Sequence, residues 1–326
     1  MDKTVFWIIV GSVSAVLLAA LIALALYVAA VRAFHKIFDR PFPRTPYDKS
    51  PLQIKQDTIF GRGKNWFYTN RMDFMDLQIT SYDGIKLAAY YRPADDKKSK
   101  ILIILVHGWR DHPSDMGAYA QMYLDKANCH ILIPHLRAHG MSQGRHIGYG
   151  LFDSQDLIMW INYMKKHLVG TFKILIHGRS MGAATSLMAA GSKKLPDGIA
   201  GIVADSPYDS LENQIQQVIR KRYHIRGKFI MKMISRIAAS RIGFPVKRAS
   251  VINVAGRIKT PVLMFHGADD TFVPVQMSED IYNRMQCPKR LLVIEGAKHV
   301  MAYDVAPDQY SSEIGKFMKV CKVIES

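Results

Sequence analysis

The hydrophobic pattern divides the chain into three parts. Residues 1–31 include an uncharged run that begins at residue 5 and continues to the end of the segment. This run exceeds the ~20 residues that an α-helix needs to cross a bilayer, and it predicts an N-terminal transmembrane helix. Residues 32–70 are basic and contain four closely spaced prolines, which is typical of a stiff juxtamembrane spacer. Residues 71–326 carry the remaining apolar pattern and predict the folded domain.

Within residues 71–326 the pattern predicts an α/β architecture. Segments 75–80 and 86–91 flank an Asp-Gly turn, which predicts an antiparallel hairpin. Continuous apolar runs then alternate with segments of helical length, and this predicts a mostly parallel sheet with helices on both faces. The alternation stops for about fifty residues, approximately 207–258, where the sequence indicates a helical insertion. The runs expected to form buried strands are 101–106, 130–134, 172–176, 261–266 and 290–295.

One short motif stands directly between a predicted strand and a predicted helix. It reads Gly178-Arg-Ser180-Met-Gly182 and fits the pattern G-x-S-x-G. This pattern is typical of a sharp strand-to-helix turn that lifts the serine hydroxyl above the sheet, while the glycines let strand and helix pass close together. The N–H of Met181 then lies at a helix N-terminus, where negative charge is favoured. We therefore interpret Ser180 as a nucleophile.

A nucleophilic serine requires a base, an orienting acid and an oxyanion hole. Each has a candidate at the end of an apolar run. One downstream run is followed by Gly-Ala-Asp269-Asp270, and a later one by Gly-Ala-Lys-His299. An upstream run leads into His-Gly-Trp109, a loop that could supply a second N–H group to the hole. The order serine, aspartate, histidine is the one expected of hydrolases with such a turn.

Taken together, these motifs resemble those of the α/β-hydrolase superfamily, in particular its membrane-anchored serine hydrolases of the esterase and lipase type. The resemblance covers roughly residues 70–320. It implies the α/β-hydrolase fold, with the insertion at 207–258 forming a helical cap, and hydrolysis of carboxylic esters without a cofactor or metal ion. The signature H-G-x-x-D-x-x-V-P selects Asp270 rather than Asp269 as the acid. The implied roles are nucleophile for Ser180, general base for His299, orienting acid for Asp270, and oxyanion-hole donors for the N–H groups of Trp109 and Met181.

Three features of this region leave alternatives open. Asp205 ends another predicted strand and is a second candidate for the acid. Arg179, beside the nucleophile, is expected either to pair with an acid or to face an anionic group of the substrate. The loop 135–142 reads H-L-R-A-H-G-M-S where many relatives read D-x-R-G-H-G-x-S. Because this loop carries no member of the triad, we expect the difference to bear on the substrate rather than on the chemistry.

The charge of the chain is strongly positive. Lysine and arginine outnumber aspartate and glutamate by 44 to 27, a net charge of +17. Residues 213–268 hold twelve of the basic residues and no acidic one. Such a surplus favours an anionic partner, and the absence of a recognisable nucleic-acid-binding module favours a membrane over nucleic acid. The cap is thus either an ordinary solvated surface or a lid that rests on anionic lipid headgroups and admits an amphiphilic substrate.

Three classes of function follow from these patterns. The first is a membrane-anchored serine hydrolase that cleaves acyl esters. The second is a peptidase or amidase of the same fold, since it would use the same triad, although the cap offers no acidic pair to hold a peptide amine. The third is a non-catalytic membrane-associated binding protein, against which the intact Ser–Asp–His set argues.

The location predicted from the sequence is a membrane, crossed once. Five basic residues follow the apolar run within residues 32–49, and only Lys3 precedes it. The positive-inside rule therefore places the catalytic domain in the cytoplasm. The alternative is a cleaved signal peptide, for which Val31-Arg-Ala33 could serve as the cleavage site. Because every candidate catalytic segment lies beyond residue 100, a chain that begins near Ser50 is expected to remain active on a soluble ester.

Overall fold

A computed structural model describes residues 2–41, 43, 57–96, 98–223 and 227–325 of the protein. Residues 44–56, which include much of the predicted proline-containing spacer, lie outside the described residues. The strands are β1 (Met75–Thr80), β2 (Lys86–Arg92), β3 (Ile101–Val106), β4 (His130–Pro134), β5 (Lys173–Arg179), β6 (Ile199–Asp205), β7 (Val262–Gly267) and β8 (Lys289–Ile294). The α-helices are α1 (Lys3–Phe38), α2 (Ile59–Thr69), α3 (Gly117–Lys126), α4 (Asp153–His167), α5 (Met181–Ala190), α6 (Leu211–Tyr223), α7 (Lys228–Ile242), α8 (Ile252–Ala255), α9 (Val275–Arg284), α10 (Ala302–Val305) and α11 (Pro307–Val320).

The strands form one sheet in the order β1-β2-β4-β3-β5-β6-β7-β8. The predicted hairpin is present, because β1 and β2 pair antiparallel with Met75 opposite Tyr91. Strand β2 also pairs antiparallel with β4, and every later pair in the sheet is parallel. The prediction of a mostly parallel sheet is confirmed. Its parallel strands end at one edge, where loops from consecutive strands meet.

Both faces of the sheet are covered, which explains why the central strands are apolar throughout. In β3, Leu102, Ile104 and Val106 belong to a core on one face together with residues of α4 and α5. Ile103 and Leu105, which point the opposite way, belong to a second core with residues of α3 and α11. A strand buried on both faces has no polar alternation to show in its sequence.

Helix α1 extends beyond the predicted end of the anchor at residue 31 and continues to Phe38. Within the described part of the chain it is the one helix long and apolar enough to cross a membrane. The apolar part is solvent-exposed, but Ala30, Phe34 and Phe38 are completely buried in the first core. The last two turns of the helix are therefore packed on the folded domain, inside the segment 32–70 that we expected to act as a spacer.

The interval 207–258 contains helices α6, α7 and α8, with residues 224–226 outside the described part. Helix α7 packs beside the end of α1, where Arg241 lies over the ring of Phe34. Phe244, just after α7, contacts Phe38 edge-on. These contacts place the C-terminal end of α7 beside the docked end of α1.

Candidate active site

The turn between β5 and α5 has the geometry predicted for G-x-S-x-G. Ser180 adopts φ 54° and ψ −116°, a strained conformation for a residue with a side chain. Its N–H donates to the carbonyl of Asp205 at 2.7 Å. A Cβ on Gly182 would lie 2.0 Å from the carbonyl oxygen of Val106, and one on Gly178 would lie 2.2 Å from that of Gly182. Only glycine lets the first turn of α5 pack this closely on β3 and β5.

The structure brings Ser180, His299 and Asp270 together from three different loops. Ser180 Oγ lies 2.9 Å from His299 Nε2. His299 Nδ1 lies 2.6 Å from Asp270 Oδ2. The second contact requires a proton on Nδ1, because the carboxylate only accepts, and a neutral ring then leaves Nε2 as an acceptor for the serine hydroxyl. This arrangement can transfer a proton from Ser180 to His299 and stabilise the charged ring that results.

Asp270 is held in its ionised form. Burial alone would raise the pKa of this carboxyl, but hydrogen bonds from His266 and His299 lower it well below its usual range. Oδ1 also accepts from the N–H groups of Phe272 at 2.9 Å and Val273 at 2.8 Å. Several donors around one carboxylate favour the charged state, which is the state that can orient an imidazole.

The two alternative acids are directed elsewhere. Asp269 is exposed, although it adjoins Asp270 in sequence. The carboxylate of Asp205 is fully buried and accepts hydrogen bonds from the hydroxyls of Tyr119, Tyr310 and Ser206. Of the three aspartates, Asp270 is therefore the one that contacts His299. The Asp205 carboxylate instead accepts hydrogen bonds from buried hydroxyl groups.

His266 is a residue of the site that our sequence reasoning passed over. Its Nε2 lies 2.8 Å from the carbonyl of Val273 and 3.3 Å from Asp270 Oδ2. Because a carbonyl only accepts, Nε2 must carry a proton, and Nδ1 accepts from Ser278 Oγ at 2.7 Å. His266 thus stabilises the loop that carries Asp270. The signal was present in the sequence as the histidine that opens the H-G-x-x-D-x-x-V-P motif.

The backbone donors expected for the oxyanion hole are available. Met181 is the first residue of α5, where an N–H has no partner within the helix. In the described ranges neither this N–H nor that of Trp109 donates to another protein group. The preceding N–H, from Gly108, donates to Asp111 Oδ2 at 2.9 Å. The same oxygen lies 3.1 Å from a guanidinium nitrogen of Arg179.

The contact between Asp111 and Arg179 decides between the two roles left open for this arginine. Both side chains are buried, and Arg179 also lies over the ring of Phe60. Arg179 is therefore paired within the fold. The pair ties the loop after β3, which carries Trp109, to the turn that carries Ser180, so both donors of the predicted hole are held by one buried contact.

Two buried histidines form hydrogen bonds that stabilise the loop after β3, which carries Trp109. His107 Nε2 accepts from the N–H of Leu136, and His139 Nε2 accepts from the N–H of Arg110, each at 3.1 Å. Burial lowers the pKa of His139 to about 4, so the ring is neutral near pH 7 and able to accept. His139 belongs to the loop that departs from the pattern of many relatives, and here it supports the backbone next to Trp109.

Helix α6 reaches the mouth of the site. Gln214 donates to the carbonyl of Phe272 at 2.9 Å, and Lys221 donates to that of Thr271 at 3.2 Å. The Phe272 ring lies 5.0 Å from that of His299 and is 41% exposed. The predicted cap therefore contacts the loop that carries the acid, and an apolar ring borders the catalytic histidine candidate.

A parallel sheet with a serine turn at its centre, and with an aspartate and a histidine on the following strand ends, defines an α/β hydrolase. The serine aminopeptidase S33 family of hydrolases matches residues 97–243 and 247–306 of this chain. That match covers more than half of its length, and the chain belongs to this family. The predicted superfamily is confirmed.

Individual relatives agree with this assignment. The chain is 28% identical to the protein YqkD of Bacillus subtilis over 248 residues, which cover 76% of this chain and 80% of YqkD. The esterase Pf2001 of Pyrococcus furiosus has a similar structure, with a TM-score of 0.64, 22% identity, and coverage of 87% of this chain and 98% of the esterase. An acylaminoacyl peptidase of Pyrococcus horikoshii is similar with a TM-score of 0.56 and 16% identity, over 76% of this chain and 41% of the peptidase. At these identities the two structures share the fold.

Proposed function

We propose that the protein is a membrane-anchored serine hydrolase that cleaves carboxylic acyl esters through an acyl-enzyme. Ser180 is the nucleophile, His299 the general base and Asp270 the acid that orients it. The observation that carries this proposal is the continuous path of contacts from Ser180 Oγ through the imidazole to the Asp270 carboxylate. A third class, a non-catalytic binding protein, would have no need for a strained serine in contact with a histidine.

The reaction follows from this geometry. Ser180 Oγ attacks the acyl carbon while its proton passes to Nε2 of His299, and Asp270 stabilises the imidazolium through Nδ1. The negative charge on the substrate oxygen is stabilised by the N–H groups of Met181 and Trp109, a contribution of ~3–4 kcal/mol for each donor in comparable sites. The alkoxide leaves with the proton from His299. Water then attacks the acyl-serine by the same steps and releases the acid.

Peptide or amide hydrolysis is the second candidate, because the family is described as serine aminopeptidase. An aminopeptidase must hold the ammonium group of its substrate, for which carboxylates are the natural partners. The sequence has no aspartate or glutamate from residue 213 to residue 268, which includes most of the cap. The positive charge of this region repels an ammonium group and attracts an acid or a phosphate, and this favours the ester.

The substrate is tested with a panel of p-nitrophenyl esters and aminoacyl anilides, using full-length protein in detergent. We expect hydrolysis of the esters and at least ~100-fold lower kcat/KM on the anilides. Equal or greater activity on the anilides would favour the peptidase.

A second comparison tests the basic cap, which we propose faces anionic lipid. It measures the rate of hydrolysis of an anionic phospholipid and of a neutral acylglycerol with the same chain length, and we expect the anionic lipid to react faster. Equal rates on these two lipids would indicate that the basic residues of the cap form an ordinary solvated surface with no role in binding lipid.

The anchor is tested separately. An 18-residue stretch of the apolar part of α1 is exposed and has a mean hydropathy of 2.7, which supports a helix that spans a membrane once. The cytoplasmic side is proposed for the catalytic domain on the positive-inside rule, from the basic residues that follow the apolar run. Full-length protein is therefore expected to stay in the membrane fraction after washing with carbonate at high pH. Release into the supernatant would contradict a transmembrane helix. Protease protection of the domain in sealed inverted vesicles would contradict the cytoplasmic orientation.

A further inference from the structure

The hydrolase domain donates hydrogen bonds to the carbonyl groups at the C-terminal end of α1. The last carbonyls of a helix have no partner within it. Arg110 donates to the carbonyl of Lys36 at 3.0 Å. The hydroxyl of Tyr149 donates to the carbonyl of Ile37 at 2.7 Å. The N–H of Ile147 donates to the carbonyl of Phe38 at 2.7 Å. Three consecutive carbonyls are thus satisfied by the hydrolase domain.

Apolar packing fixes the same end of the helix. The ring of Phe38 is fully buried and meets Tyr149 edge-on, with ring centres 5.3 Å apart. Phe34 stacks on Phe38 at 5.1 Å and is also fully buried. Beyond the helix, the guanidinium of Arg40 donates to the carbonyl of Ser142 at 2.8 Å. It also donates to that of Gly140.

Arg110 links this helix end to the proposed oxyanion hole, because it directly follows Trp109. Its backbone has φ 62°, which is strained for arginine, and its N–H donates to His139 Nε2. Its guanidinium lies 4.5 Å from the centre of the Trp109 ring while it caps α1. A positive group at a helix C-terminus is favoured by the helix dipole. One side chain, that of Arg110, thus contacts both the end of α1 and the ring of Trp109.

We propose that the docked end of α1, residues 30–40, is a positioning element of the active site, which acts through Arg110 to hold the Trp109 N–H towards the reacting carbonyl. This inference rests on the proposed function of that N–H. It also revises the expectation that a chain beginning near Ser50 remains active on a soluble ester, because such a chain lacks the whole element and should lose activity. The anchor is then part of the catalytic structure as well as an attachment to the membrane.

The test uses full-length protein in detergent and a soluble p-nitrophenyl ester. Arg110→Met keeps the bulk of the side chain but removes both the cap of α1 and the contact of its charge with Trp109. An oxyanion contact acts mainly in the transition state, so kcat should fall by ~10–100-fold while KM changes by less than about threefold. Affinity for a trifluoromethyl ketone, which forms a tetrahedral adduct with the serine, should fall in parallel. Arg110→Lys, which keeps a charged donor, should recover much of the loss.

Two further variants show whether the effect passes through α1. Phe38→Ala loosens the helix end without touching Arg110, and it should lower kcat in the same way. The double variant should be little worse than either single one, because both act on one contact. Lys289→Met is the matched control. Lys289 donates to the carbonyls of Tyr282 and Met285 at the end of α9 and lies over the ring of Tyr282, so its loss also removes a helix cap and a contact between a charge and an aromatic ring. Lys289 is the first residue of β8, whereas the site lies at the other end of the parallel strands, so kcat should stay within about twofold of wild type.

The outcomes separate this inference from the proposed function. Wild-type hydrolysis together with unchanged kcat in Arg110→Met would overturn the inference and leave the serine hydrolase standing. A loss in Arg110→Met but not in folded Phe38→Ala, with folding judged by thermal unfolding, would also overturn it, since the effect would then be local to the loop. An equal loss in folded Lys289→Met would overturn it as well, because the effect would then come from general loosening of the domain. Failure of the wild-type chain to react with a fluorophosphonate would instead contradict the proposed function.

Discussion

Ser180→Ala should reduce hydrolysis of a soluble ester by a factor of ~10⁴–10⁶ and abolish labelling by a fluorophosphonate. The reason is that no other nucleophile replaces Oγ in contact with His299, and only the oxyanion hole and substrate binding remain to assist water. Alanine has the same Cβ as serine at φ 54°, so the strained turn should form as before. The measurements are kcat/KM and labelling stoichiometry, with thermal unfolding to show that the variant is folded.

The same variant reveals whether serine and histidine act as a unit. His299→Ala should be nearly as damaging as Ser180→Ala, and the double variant should be only slightly worse than either one. Losses that multiply in the double variant would show that the 2.9 Å contact between the two side chains does not transfer the proton. Persistent labelling of Ser180→Ala would show that another residue is the nucleophile.

Asp270→Asn should reduce kcat by ~10³–10⁴-fold, whereas Asp269→Asn should change it by less than about twofold. Both substitutions remove one negative charge from adjacent positions, so the pair is matched in chemistry. Only Asp270 contacts His299, at 2.6 Å, and an asparagine there can turn its NH₂ group towards Nδ1. That donor would stabilise the tautomer whose Nε2 carries the proton, and such a ring cannot accept from Ser180.

Steady-state kinetics on one soluble ester measures both variants. A large loss in Asp269→Asn would mean that the acid had been placed one residue too late in the loop. If both variants kept full activity, Asp205 would become the candidate to test next, despite the three hydroxyls that now occupy its carboxylate.

The sequence could predict those parts of the site that depend on local order along the chain. The serine turn has its own pattern of glycines, and each partner follows an apolar run that has to be a strand. Parallel strands bring their ends to one edge, so Ser180, Asp270 and His299 could be expected to meet without knowledge of any side-chain contact. The continuous apolar runs likewise indicated a sheet buried on both faces.

Contacts between distant segments could not be predicted in this way. The partner of Arg179 is Asp111, and nothing near either residue in sequence distinguishes a buried ion pair from a charge that faces a substrate. The end of α1 presents a similar ambiguity. Phe34 and Phe38 continue an apolar helix, and such rings are equally suited to lipid and to a protein core. Only the fold shows that Phe38 meets Tyr149 and Phe244 and that Phe34 stacks on Phe38.

The unbroken course of α1 determines how the enzyme would search for substrate. A flexible tether would let the domain tumble, and each encounter with a membrane-borne ester would require a new alignment. Here one helix continues from the exposed apolar part to the buried Phe38, so in the proposed membrane-anchored protein it would fix the tilt and height of the domain above the lipid surface. The entrance to the site, beside Phe272, would then be held at one depth relative to the bilayer. Esters would be selected by how far their scissile bond lies from the lipid surface as well as by their chemistry.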